Sequence, residues 1–77
     1  MAKKPPISNR ISILREQNGH MSQAALAKAI GVTRQTVIAI EKGHYSPSLE
    51  SAFRISRVFQ TTLEDVFGWE EAIVKPV

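Results

Sequence analysis

The chain has no cysteine, so neither a disulfide nor a thiolate-bound metal can staple it. Its two histidines alone do not build a zinc site. No apolar run approaches the roughly 20 residues that a membrane helix needs. The opening "MAKKPPIS" carries two lysines with no apolar stretch behind them, which is not the pattern of a signal peptide. A Ser/His/Asp set, a metal-ligand cluster and a glycine-rich phosphate loop are all missing from the pattern. These absences lead us to expect a cytoplasmic protein that is not an enzyme, takes no metal or cofactor, and has no membrane partner. At 77 residues we expect one domain at most, with no room for a separate ligand domain. A domain of this size buries only roughly 60% of the surface its unfolded chain exposes. Stability must then come from efficient helix packing or from a second copy of the chain.

What the chain does have is an uneven charge. Residues 1–63 hold nine Lys/Arg against Glu16, Glu41 and Glu50, a balance of +6. Residues 64–77 hold Glu64, Asp65, Glu70 and Glu71 against Lys75, a balance of −3. A basic body with an acidic end suits a polyanion on one side and something else on the other. A merely solvated basic surface would look the same.

Pro5 and Pro6 keep the first residues out of a helix, and residues 1–7 read as a flexible basic arm. The spacing predicts helix 1 over about 9–18, with Ser8 or Asn9 as cap, Ile11 and Leu14 inward, and Gly19 as stop. Helix 2, about 23–30, starts from Ser22 and turns Leu26, Ala27 and Ile30 inward before Gly31. Helix 3, about 34–42, starts from Thr33 with Val37 and Ile40 inward, and Gly43 ends it. Only Gly31, Val32 and Thr33 separate helices 2 and 3, which matches the tight turn of a helix-turn-helix. Helix 4, about 48–59, has Ser46 as a candidate cap and Pro47 at the first helical position. Thr62 caps a short helix 5, about 63–67, with Asp65 three residues on. The tail from Trp69 reads as a short strand or loose chain. The predicted core is Ile11, Leu14, Met21, Leu26, Ala27, Ile30, Val32, Val37, Ile40, Leu49, Ala52, Ile55, Phe59, Leu63, Val66 and Phe67. The fold class is all-α, a compact five-helix domain over 8–68 with a tail over 69–77.

The stretch "SQAALAKAIGVTRQTVIAIEKGHYSPSLESAFRISRVFQTTLEDVF" resembles the DNA-binding domain of lambda repressor/Cro-type regulators, the XRE family. The likeness covers about residues 9–67 and is carried by Ser22-Gln23, Leu26-Ala27, Ile30-Gly31-Val32, Thr33–Val37 and Ile40-Glu41-Lys42-Gly43. It is strongest to the short stand-alone members. Three features depart from the family pattern: His20 as an extra residue in the first turn, Gln60-Thr61 where Gly and an apolar residue are common, and Ile38 and Ala39 on the outer side of helix 3.

The resemblance implies a lambda-repressor-like fold and a sequence-specific, double-stranded DNA-binding transcriptional regulator, a repressor by expectation. Helix 3 (34–42) would enter the major groove, where every base pair shows a distinct pattern of donors, acceptors and methyls. Arg34 suits guanine O6 and N7, and Gln35 suits adenine N6 and N7. Thr33 and Thr36 would serve phosphate or a thymine methyl, and Ala39 a thymine methyl. Gln23 would contact the DNA backbone and brace helix 3, at a helix N-terminus that itself suits phosphate. Lys42, His44 and Tyr45 are the other phosphate candidates, with packing of Tyr45 on its loop and plain exposure of His44 as alternatives. Lys3 and Lys4 fit either a groove-binding arm or a solubilising tail. Glu41 would pair inward with Arg15, with Arg10 as the other choice, fixing helix 1 against helix 3.

One unit reads only a few base pairs, so a homodimer on a near-palindromic operator is expected. Phe67, Trp69, Ile73 and Val74 are the apolar residues left for a dimer contact, unless Trp69 folds back over the monomer core. The rival reading is an antitoxin or adaptor module whose main partner is another protein.

Overall fold

A computed structural model of the chain describes residues 5–69. Lys3, Lys4, Ile73 and Val74 therefore lie outside the described residues. The elements run β1 (Ile7–Asn9), α1 (Ile11–Gln17), α2 (Gln23–Ile30), α3 (Arg34–Glu41), α4 (Leu49–Val58), α5 (Leu63–Val66) and β2 (Phe67–Trp69).

Four of the five helices begin in the same way. A Ser or Thr in extended conformation turns its hydroxyl onto the N–H three residues ahead, which satisfies one of the orphan donors of the first turn. Ser22 accepts from Ala25, Thr33 from Thr36, Ser48 from Ser51 and Thr62 from Asp65. Asp65 is held further by the Thr61 hydroxyl, 2.6 Å from its Oδ2. That bond and a second from the Thr62 side chain keep the Asp65 carboxyl below the ordinary carboxylate value. For α4 the cap is Ser48 rather than Ser46, so Pro47 precedes the cap instead of opening the helix.

Helix α1 is the exception, and the expectation at its start needs correcting. Ile7–Asn9 form a strand, so the arm stops short of Ile7, and neither Ser8 nor Asn9 occupies the cap position. β1 pairs antiparallel with β2, in the register Ile7↔Trp69, Ser8↔Gly68 and Asn9↔Phe67. Gly68 permits this approach, since a Cβ there would meet the Ser8 Oγ at 2.8 Å. The two ends of the described chain thus close into a small sheet beside the helices. The Arg10 N–H continues the link onto the Val66 carbonyl at 2.8 Å.

The core is the inner surface of α1 to α5. Ile11, Leu26, Ala27, Ile30, Val37, Ile40, Ile55 and Val66 form one buried cluster, with Leu14, Met21, Val32, Val58, Phe59 and Phe67 packed against it. Ala52 is buried as well. Leu49 was expected inside and is not, being 69% exposed. It opens α4 directly after the cap, where the helix has not yet reached its neighbours. Leu63 is only half-buried.

Candidate nucleic-acid interface

Helices α2 and α3 meet through the three-residue turn that the sequence suggested. Gly31 sits in the left-handed region at φ +77°, and its N–H returns to the Ala27 carbonyl. A side chain there would be strained by the backbone itself. Val32 also donates to Ala27 O at 3.0 Å, and Arg54 reaches the Ile30 carbonyl from α4. The turn is thus closed by its own backbone and backed by α4.

Val37 and Ile40 anchor α3 in the core at 1% and 2% exposure. That fixes which face looks outward. Arg34 and Gln35 are exposed on the first turn, and their side chains hydrogen-bond to no described residue. Thr36, Ile38 and Ala39 are half-buried. The Thr33 and Thr36 hydroxyls lie 3.0 Å apart. Only one of the two can donate to the other, so one hydroxyl hydrogen remains for an external acceptor. Lys42 and His44 are exposed past the end of α3, and Tyr45 is about half exposed.

Behind this surface lies a charged clamp. Arg15 Nε stands 2.7 Å from Glu41 Oε2, and a second guanidinium nitrogen 3.1 Å from Oε1. The two side chains are only 15% and 10% exposed. The hydrogen bond to Glu41 holds the Arg15 guanidinium above its already high ordinary value. Arg15 also donates to the Met21 carbonyl, which ties in the α1–α2 turn. Gln23 Nε2 reaches the same Glu41 Oε1 at 3.1 Å. Gln23 thus braces α3, and only its second amide hydrogen is left for another acceptor. Arg10, the other candidate, is engaged elsewhere: it grips the Asp65 carbonyl at 3.0 and 2.9 Å.

Of the expected dimer residues, Phe67 is half-buried against the core. Trp69 is 66% exposed, opposite Ile7 on the sheet. Next to them Ile7, Pro47, Leu49, Ala52, Leu63 and Phe67 line an uncharged groove of about 280 Å³. Leu49 was missed as a surface residue, because apolar periodicity alone does not separate a buried leucine from one at a helix start. The tie of Asn9 to α3 was missed as well. Its side chain accepts from Ile11 N–H and donates to the Ile40 carbonyl, which is 31 residues away in sequence. No local pattern announces such a contact.

A family model described as helix-turn-helix matches residues 11–66. An uncharacterised HTH-type transcriptional regulator of Methanocaldococcus jannaschii is 52% identical over 52 residues, 68% of this chain and 79% of that protein. The uncharacterised HTH-type transcriptional regulator YgzD of Bacillus subtilis is 49% identical over 65 residues, 84% of this chain and 97% of its own length. A crystal structure from Bacteroides fragilis, of a protein provisionally described as DNA-binding, matches with a TM-score of 0.69 at 16% identity. That match covers 80% of this chain and 98% of the other. At such identity it speaks to the fold alone.

Proposed function

The chain belongs to the helix-turn-helix family of DNA-binding transcriptional regulators, and we propose that it represses transcription as a homodimer on a near-palindromic operator. The carrying observation is the pair Arg34 and Gln35, exposed and unpartnered among the described residues at the start of a helix that is otherwise anchored. In this reading α3 lies in the major groove. Arg34 takes a guanine edge and Gln35 an adenine edge, because their donor and acceptor sets match those bases bidentately. Ala39 meets a thymine methyl, while Thr33 and Thr36 share one free hydroxyl hydrogen between base and phosphate. Lys42, His44 and Tyr45 take phosphates beyond the helix. Gln23 keeps one amide hydrogen for a phosphate, supported by the free N–H groups that open α2.

The dimer contact is proposed at Phe67 and Trp69, extended by Ile73 and Val74 from outside the described residues. The groove beside Phe67 supports this placement. A chain of net charge +3 meets its own copy best through a face without like charges, and that lining has none. Two copies would present their α3 helices to successive major grooves about 34 Å apart.

The test is selection of duplexes from a random pool by the purified chain, at several salt concentrations, beside an Arg34→Ala/Gln35→Ala variant. The expected result is an enriched near-palindrome that the variant loses while it keeps weak, salt-sensitive binding. Equal, motif-free binding by both proteins would overturn base reading by α3 and favour a protein partner instead.

A further inference from the structure

Asn9 joins three elements at one side chain. Its backbone belongs to β1, opposite Phe67 of β2. Its Oδ1 accepts from Ile11 N–H at 3.1 Å and so closes the start of α1. Its Nδ2 donates at 2.9 Å to the Ile40 carbonyl, in the last turn of α3. It thereby hydrogen-bonds the strand pair to the recognition helix.

That bond is not required to satisfy the helix. The Ile40 carbonyl already accepts from Gly43 N–H at 3.0 Å. A second donor on a satisfied carbonyl adds a tether, and this one differs in kind from the Glu41 clamp. Arg15 and Gln23 hold α3 through the Glu41 side chain, whose torsions can absorb movement. Asn9 holds the backbone itself. An eight-residue helix is about 12 Å long. Fixed in the core by Val37 and Ile40, such a helix still has its tilt to set, and a grip on the last turn sets it. Tilt decides where the first turn, with Arg34 and Gln35, meets the base edges.

We propose that Asn9 is a positioning residue for DNA recognition, and that through it the β1–β2 strand pair sets the angle of α3. This rests on the reading that α3 reads DNA. It goes further by giving the sheet a part in that reading. Engagement of Phe67 or Trp69 by a second copy then bears on the strand that carries Asn9. By linkage the effect is reciprocal: DNA that fixes α3 must also steady the sheet.

The experiment measures, for each protein, the ratio of affinity for the duplex selected by the wild type to affinity for a random duplex. Asn9→Ser is the informative variant. Serine can still accept from the N–H two residues on, but is too short to reach Ile40. Partial unfolding would lower both affinities alike and leave the ratio unchanged. The expected ratio falls by roughly two- to tenfold, the range of one net hydrogen bond. A folded variant with an unchanged ratio overturns the proposal while the DNA-reading function stands. A wild type without preference for any duplex overturns both. A second measurement needs no variant: in the wild-type protein, exchange of the Asn9 side-chain amide should slow more with the selected duplex than with the random one. Equal slowing overturns the tether even if Asn9→Ser fails to fold.

Discussion

The two ends of α3 are built for different tasks. At its first turn the side chains of Arg34 and Gln35 stand exposed and bond to no described residue. At its last turn Glu41 takes two bonds from Arg15 and one from Gln23, and the Ile40 carbonyl takes one from Asn9. Base edges can be read only by groups whose donors are not already spent inside the protein. Such groups read well only if the helix beneath them is held before DNA arrives, since rigidity set in advance lowers the ordering cost of binding. In the proposed reading, fixing one end of the helix leaves the other end free to meet the bases.

The fixed end breaks most expensively. Glu41→Ala leaves Arg15 charged, mostly buried and without its carboxylate. The expected loss of folding stability is about 3–5 kcal/mol. In a domain of this size each kcal/mol lowers the melting temperature by roughly 4–8 °C, so thermal or urea unfolding will register it plainly. Replacing both partners together, Arg15→Met with Glu41→Leu, should recover much of the loss because no charge is then stranded. A Glu41→Ala cost below about 1 kcal/mol, the range of an exposed pair, would show that the clamp does not hold this end.

The open end should break in the opposite sense. Arg34→Ala should weaken binding to the selected operator by about 1–3 kcal/mol and relax the preference at its base. Folding stability should move by no more than about 0.5 kcal/mol, as for other surface changes. Isothermal binding and unfolding measured on the same preparation separate the two. A variant that loses stability and affinity in proportion would mean that Arg34 supports the fold.

Most of this arrangement was legible in the sequence wherever its cause is local. Ser22, Thr33 and Thr62 cap by bonding three residues ahead, and Gly31 marks a turn that its own φ demands, so short windows suffice. The Arg15–Glu41 pair came from family resemblance, because nothing within either helix announces a partner 26 residues away. The strand pair was not legible. Three residues are too few for alternation to show, and Ile7 finds Trp69 only once the helices have brought the two ends together. Leu49 misled for a related reason. The apolar stripe of α4 is wider than its contact, so Ala52, Ile55 and Ser56 are buried while Leu49 and Phe53 are exposed.

The Thr33 cap sits at the open end, directly before Arg34, and sharpens the contrast. Its hydroxyl accepts from Thr36 N–H at 3.1 Å. Thr33→Ala should cost about 1 kcal/mol of stability. It should also loosen the first turn alone, so exchange of the Thr36 amide rises while the amide of Lys42 stays protected. Uniform loss of protection along α3 would mean that the helix opens as one unit and that its ends are not independent.

The smallest effects test how the fixed end is finished, by comparing it with the end of α4. Past α3, Gly43 takes φ +76°; past α4, Gln60 takes the same left-handed conformation at φ +53°. Nothing lies within 4 Å of a Cβ built on Gly43, so Gly43→Ala meets backbone strain alone. That strain is about 1 kcal/mol, partly offset by the lower entropy of the unfolded chain. Gln60→Gly runs the comparison backwards: it removes the strain and should raise stability by about 0.5 kcal/mol, after glycine's own entropic cost. Paired melting curves should therefore move in opposite directions, down for Gly43→Ala and up for Gln60→Gly. The DNA response should still differ. Gly43 follows the turn that Asn9 and Arg15 hold, so its strain reaches Ile40 and should lower operator preference slightly. Gln60 lies past α4, and its replacement should leave that preference where it was. If Gln60→Gly shifts operator preference as much as Gly43→Ala does, tilt of the recognition helix is set by the whole bundle and not by the end of α3.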